Sequence, residues 1–229
     1  MTEPLVSAIV LSHDAGHFLG EALESVRTQT HQRIELVWVH NGPAGDGPSV
    51  AAEYDPDVTV AIQPNRGICA GRDAGLAVAR GELIAFLDGD DTWEPRRTEL
   101  MLAALAADPS LDLVLGHVEQ FVDPVVPPEV AKRLSVREEV MPARMLSAML
   151  APRKTFDRVG PWHEDLERTD GLVWFMKARD LGLRERLLED VVLRRRVHGA
   201  NTGLQQGRDM GEYARTLKQR LDLRRGAAR

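Results

Sequence analysis

A chain of 229 residues, 43% hydrophobic and 28% charged, is long enough for a hydrophobic core, and its mix excludes collagen-like, low-complexity and membrane compositions. One cysteine, Cys69, excludes an intramolecular disulfide framework and a structural zinc site built on several cysteines, and suits a reducing compartment. The formal charge of -6 is uneven: residues 1–175 carry 15 Lys and Arg against 28 Asp and Glu, and residues 176–229 carry 14 against 7, so the basic end is open as a face for anionic lipid or a phosphate-bearing ligand, or as a salted helix face.

Met1-Thr2-Glu3-Pro4 lacks a basic n-region, and the apolar run at 6–11 is too short for a signal peptide or a membrane span, so a cytoplasmic protein is expected. That run reads as a buried strand, and after the polar turn 12–16 the spacing of Phe18, Leu19, Ala22 and Val26 predicts a helix. Residues 34–39 read as a second strand, ended by a loop at 40–47 whose glycines and proline stop a helix. A short helix around 48–53, a strand around 58–62, a helix at 70–79 and a strand at 82–87 follow, the last running straight into Asp88-Gly89-Asp90-Asp91. After Pro95 a helix reaches about residue 107, and 111–121 reads as a strand. Residues 123–144 hold Pro124, Pro127, Pro128 and Pro142 between charges, which suits a mobile loop over a site, a candidate acceptor lid. Residues 171–181 read as helix, 191–197 as strand and 212–223 as an amphipathic terminal helix. With no repeat and no clean linker, a single domain is expected.

Alternation of this kind implies a mostly parallel sheet with helices on both faces and with ligand chemistry beyond the carboxyl ends of its strands. The loops 12–16, 40–47 and 88–92 fall there. Three carboxylates within four residues repel one another unless a cation compensates, and hard oxygen ligands suit Mg²⁺ or Mn²⁺ with positions left open for phosphate. The competing reading is an acidic turn ahead of a helix N-terminus, where Asp, Glu and Pro95 are favoured.

Val6-Ser7-Ala8-Ile9-Val10-Leu11, Glu24-Ser25-Val26-Arg27-Thr28-Gln29-Thr30, Asn65-Arg66-Gly67 with Ala70-Gly71-Arg72-Asp73-Ala74-Gly75, and Phe86-Leu87-Asp88-Gly89-Asp90-Asp91-Thr92-Trp93 together resemble the GT-A-fold family 2 glycosyltransferases over roughly residues 5–120, and more weakly over 150–203. The resemblance implies a Rossmann-like α/β sheet, with a nucleotide-sugar-binding half at about 5–120, an acceptor half at about 121–205 and a C-terminal helix at about 206–229. It implies that the acidic turn is the family's DxD motif: Asp88 and Asp90 hold a divalent ion, Mn²⁺ or Mg²⁺, that bridges the donor diphosphate, with Gly89 between them. The segment with Asn65, Gly67 and Arg72 would lie along the donor, Arg72 pairing with phosphate or ribose or standing as a surface helix residue.

Relatives commonly end the second strand in paired aspartates that help bind the base. This chain has His40-Asn41-Gly42 there, and Asn41 offers an amide that both donates and accepts. Ser12 and Asp14 fall where relatives begin the base pocket, and Asp14 is also a helix N-cap candidate. Arg168-Thr169-Asp170-Gly171 resembles the start of the acceptor-site helix, making Asp170 the candidate general base, with Glu164, Asp165 and Glu167 as alternatives, since Val173 stands where relatives often carry a further acid. Arg196 to Asn201 resembles the family's late Arg-x-His-x-x-Asn segment, so His198 is a candidate metal ligand and Arg196 a candidate phosphate partner. Trp93 and Trp162 are read either as acceptor platform or as core.

The implied activity is a metal-dependent, inverting transfer of a sugar from a nucleotide diphosphate sugar, a UDP-sugar first, to a small-molecule, peptide or glycan acceptor, with no nucleic acid and no membrane span. Two other classes compete: a non-catalytic nucleotide-sugar-binding module, and a Rossmann-type oxidoreductase, which would need a G-x-G-x-x-G after the first strand that this chain lacks.

Overall fold

A computed structural model of the chain describes residues 3–13, 16–42, 59–62, 67–132, 134, 136, 139–162, 169–198, 201 and 218. In chain order the first half is β1 (Val6–Ser12), α1 (Gly16–Arg27), β2 (Ile34–His40), β3 (Thr59–Ile62), α2 (Gly67–Val78) and β4 (Leu83–Asp88). The second half is β5 (Thr92–Trp93), α3 (Arg97–Ala107), β6 (Leu113–Val122), α4 (Pro128–Ala131), β7 (Met141–Pro142), a 3-10 turn (Leu146–Ala148), β8 (Met149–Pro152), α5 (Arg153–Val159), α6 (Asp170–Asp180) and β9 (Glu185–Val197). Among the described residues these strands form one sheet in the order β3-β2-β1-β4-β8-β6-β9-β5, with β7 on β6. The long pairings β1/β2, β1/β4, β2/β3 and β6/β9 are parallel, and the antiparallel contacts of β5, β7 and β8 are short.

Strands buried on both faces read as continuous apolar runs, and β1 shows why. Val6, Ala8 and Val10 pack with Leu19, Ala22, Leu23 and Val26 of α1 and Met101 of α3, whereas Ile9 and Leu11 pack on the other face with Cys69 of α2 and the aromatics of α5 and α6. The helix α2 lies close to the sheet because its inward positions are glycines. A Cβ at Gly75 would stand 2.4 Å from Ile9 Cγ2 and 3.1 Å from Val39 Cγ2. Arg153 secures the end of α2, donating to the carbonyl oxygens of Leu76 at 3.0 Å and Ala79 at 2.5 Å, groups a helix end leaves unpaired.

A buried carboxylate ties the amino ends of the strands together. Glu35 accepts from Ser7 Oγ at 2.6 Å, from Arg80 N at 2.8 Å and from Arg80 Nε at 2.7 Å, and Ser7 Oγ accepts from Gly81 N at 2.7 Å. Burial pushes the Glu35 carboxyl up, but these bonds to its ionised form outweigh it and hold it below the ordinary glutamate value. Its contribution is therefore present above the unfolded pKa of about 4.3 and is lost as pH falls through the lower folded value. Glu35→Gln is expected to cost about 1.5–3 kcal/mol at pH 7, a deficit that shrinks toward pH 3. Urea unfolding of both proteins at the two pH values checks this, and an equal deficit at both would contradict it.

Several elements differ from the sequence expectation. The strand β8 and helix α5 were not anticipated, because β8 has four residues and ends in Pro152, leaving no periodicity to read. The strand β9 begins at Glu185 rather than 191, its first six residues being mostly charged and partly exposed, with a register shift where Gly116 of β6 meets Val192. The segment 123–144 carries α4 and β7. The helices expected around 48–53 and at 212–223 lie outside the described residues, apart from Lys218. No helix among the described residues is long and apolar enough to cross a membrane.

Candidate active site

Parallel pairing of β2, β1 and β4 brings the ends of all three strands to one edge of the sheet. The chain leaves β4 through a tight turn, with Gly89 N donating to Leu11 O at 2.7 Å and Asp91 N to Asp88 O at 3.0 Å. This turn sends its three carboxylates to different places. Asp91 points inward, is 3% exposed and accepts from Arg196 N at 2.9 Å. Burial, with Asp90 and Asp88 beside it, pushes its carboxyl well above the usual range. Asp88 accepts from Ser147 Oγ at 3.0 Å, and burial raises its carboxyl against the opposing effect of Arg72. Asp90 is the more open one: its Oδ2 lies 3.1 Å from His198 Nε2 and accepts from Asn201 Nδ2 at 3.1 Å. Asn201 Oδ1 in turn accepts from His198 N at 2.5 Å, so one amide orients both members of the pair.

Arg196, expected on the donor phosphates, is engaged otherwise. Its Nε donates to Asp90 O at 3.0 Å, Nη1 pairs with Asp123 and Nη2 with Glu21, and the guanidinium lies over the rings of Phe18 and Phe121. Each guanidinium nitrogen already has an acceptor, so in this structure Arg196 joins the acidic turn, α1 and β9 instead of presenting a free fork. Two of its partners, Glu21 and Asp123, carried no sequence signal.

The expected nucleotide side gathers at the ends of β1 and β2. Asn41 N donates to Ser12 O at 2.8 Å and Asn41 Nδ2 to Gly67 O at 2.8 Å, while Gly67 opens α2 with φ of 82°. The side-chain oxygen of Asn41, itself 6% exposed, has no partner among the described residues and remains an open acceptor. Ser12 Oγ accepts from Trp38 Nε1 at 2.9 Å and is buried, so it braces the neighbouring strand. Asp14, Asn65, Glu164, Asp165 and Glu167 lie outside the described residues.

Further along α2, Arg72 forms an ion pair with Asp170, both side chains buried. The Arg72 guanidinium lies 5.1 Å from the Trp162 ring centroid and 5.9 Å from that of Phe86, and Trp162 stacks on Trp174. Burial lowers the Arg72 pKa, and Asp88 is the largest influence raising it. Asp170 is the first residue of α6, whose N-cap, Thr169, makes no side-chain capping bond to that helix. Trp162 and Trp93 are both buried, which assigns them to packing. Trp93 Nε1 donates to Ser147 O at 3.2 Å beneath the fully buried Arg97, whose pKa burial pushes down to about 9. Ser147 reaches the site from a segment the sequence did not mark.

The Asp90 and His198 donor atoms stand 3.1 Å apart, close to the ~3 Å between neighbouring ligands bonded at ~2.1 Å to one octahedral ion. Among the described residues no group of three or more His, Cys, Asp or Glu makes a complete cage. Two protein donors alone would leave positions on a hard cation for water and phosphate oxygens.

The Glycosyl transferase family 2 profile matches residues 7–161. The chain is 36% identical over 126 residues to a putative glycosyltransferase, EpsH, of Bacillus subtilis, covering 54% of this chain and 36% of that protein. It is 37% identical over 120 residues to the succinoglycan biosynthesis protein ExoO of Rhizobium meliloti, covering 48% of this chain and 34% of that one. It thus spans about a third of the length of these relatives. The fold is similar to that of S. aureus TarS residues 1–349, with a TM-score of 0.65 at 20% identity over 84% of this chain and 60% of that one. TarS 1–349 in complex with UDP-GlcNAc gives a TM-score of 0.65 at 19% identity, covering 86% and 60%. The mostly parallel GT-A sheet, with helices on both faces and the acidic turn at its carboxyl edge, agrees with the profile match over more than half of the chain: this protein belongs to glycosyl transferase family 2.

Proposed function

We propose that the chain is a metal-dependent, inverting glycosyltransferase that moves a sugar from a nucleotide diphosphate sugar, a UDP-sugar first, to a small-molecule, peptide or glycan acceptor. The observation that carries the reading is the pair of Asp90 and His198, oriented by Asn201 at the carboxyl edge of the sheet. That structures of the similarly folded TarS hold UDP and UDP-GlcNAc supports the choice of uridine. Asp90 and His198, with Asp88 in the same turn, would hold Mn²⁺ or Mg²⁺, which when bound offsets the charge that collects on the departing diphosphate. Asn41, with its open Oδ1, and Gly67 line the base and ribose side. Asp170 takes the acceptor proton as the acceptor atom bonds to the anomeric carbon, and the bond from that carbon to the diphosphate oxygen breaks with its electron pair on the leaving group. A single displacement inverts the anomeric configuration.

The test is UDP release from UDP-glucose, UDP-galactose and UDP-GlcNAc with Mn²⁺, with the product anomer read by NMR. Mn²⁺-dependent release with inversion is the expected result, and retention would contradict it. A second reading, a binding module without turnover, is favoured by one observation: Asp170 is only 6% exposed and already paired. UDP binding without release from any donor selects that reading.

A further inference from the structure

Arg72 and Asp170 come from the two halves of the chain and meet in the interior beside the acidic turn. The mount on the Arg72 side is stiff. Its helix is seated on β1 and β2 through Gly71 and Gly75, where a Cβ would crowd Leu11, Ile9 and Val39, and is held at its far end by Arg153. The guanidinium is covered by the rings of Trp162 and Phe86, which fixes its plane and keeps water from the pair. On the other side, Asp170 opens α6, and its carboxylate meets the Arg72 guanidinium in an ion pair with both side chains buried.

We infer that Arg72 is a positioning residue: it aims the Asp170 carboxylate at the acceptor, instead of ligating the donor. The inference rests on Asp170 being the general base. A base must face the proton it takes, and the charge of a buried guanidinium held in place fixes the direction of the carboxylate paired with it. A positioning role predicts that Arg72 acts only through Asp170, so removing both loses no more than removing the base.

The experiment uses Arg72→Met, Arg72→Lys, Asp170→Asn and the double variant Arg72→Met/Asp170→Asn. It reads turnover of whichever UDP-sugar is released in the assay above, alongside the Kd for UDP with Mn²⁺ by calorimetry. Arg72→Met is expected to lower kcat by about 10²-fold while the UDP Kd stays within about threefold, and Arg72→Lys to recover about tenfold of the loss. The double variant is expected to be no slower than Asp170→Asn. If Arg72→Met cannot be folded, Arg72→Lys and the double variant, which leaves no lone buried charge, carry the comparison. A UDP Kd weakened about tenfold or more with kcat kept would make Arg72 a donor ligand and overturn the inference. So would a double variant slower than Asp170→Asn. Wild-type turnover in Asp170→Asn defeats the base assignment itself, which the Arg72 variants alone do not decide.

Discussion

Replacing Asp170 by Asn is expected to lower kcat by about 10²–10⁴-fold, the usual worth of a positioned general base, while leaving Mn²⁺-dependent UDP affinity within about threefold. The two effects separate because Asp170 stands on α6, paired with Arg72, whereas the residues proposed for metal and diphosphate lie at the acidic turn and at the end of β9. Asn keeps the volume and the hydrogen-bonding oxygen but not the charge. It leaves Arg72 buried without its anion, so thermal unfolding is measured beside activity. Turnover unchanged in Asp170→Asn would contradict the assignment and pass the role to Glu164, Asp165 or Glu167, to be replaced in turn.

Arg196→Met is expected to be the most damaging single change to stability, about 3–5 kcal/mol by urea unfolding at pH 7, because it strands a buried carboxylate without its counter-ion. The Asp123 side chain is 4% exposed, and its partners are Arg196 and the Val125 N–H. Burial pushes the Asp123 carboxyl up, but those bonds outweigh it and hold it below the ordinary aspartate range. The stability this supplies is present above the unfolded pKa and lost as pH falls through the folded one, so the deficit of Arg196→Met shrinks in acid. A loss below about 1 kcal/mol at pH 7 would mean that Arg196 is no more than a surface-type ion pair. Because Arg196 also donates to Asp90 O, the same variant is expected to weaken Mn²⁺-dependent UDP binding.

The framework of the first half was readable residue by residue. Strands β1, β2 and β4 are apolar on both faces because helices cover both, and the acidic turn follows β4 directly. A metal role for that turn was suggested only by the resemblance to a family, since three neighbouring acids also suit a helix start. What stayed hidden depends on partners distant in sequence. Ser147 meets Asp88, Glu21 and Asp123 saturate Arg196, and Asp170 occupies Arg72, none of which local spacing records. Strand β8 is too short to show a period, and Ser12, expected at the base pocket from its place at the end of the first apolar run, turns its hydroxyl to Trp38. The altered end of β2 is a legible departure with a structural consequence: Asn41 bonds Gly67 and keeps one open oxygen where paired aspartates are common.

The most direct test of the Asp90 and His198 site is calorimetric titration of the whole chain with UDP, with and without Mn²⁺, for the wild type and Asp90→Ala. Binding that requires Mn²⁺ and is lost in Asp90→Ala is the predicted result. UDP binding of equal strength with and without Mn²⁺, or unchanged in Asp90→Ala, would contradict it.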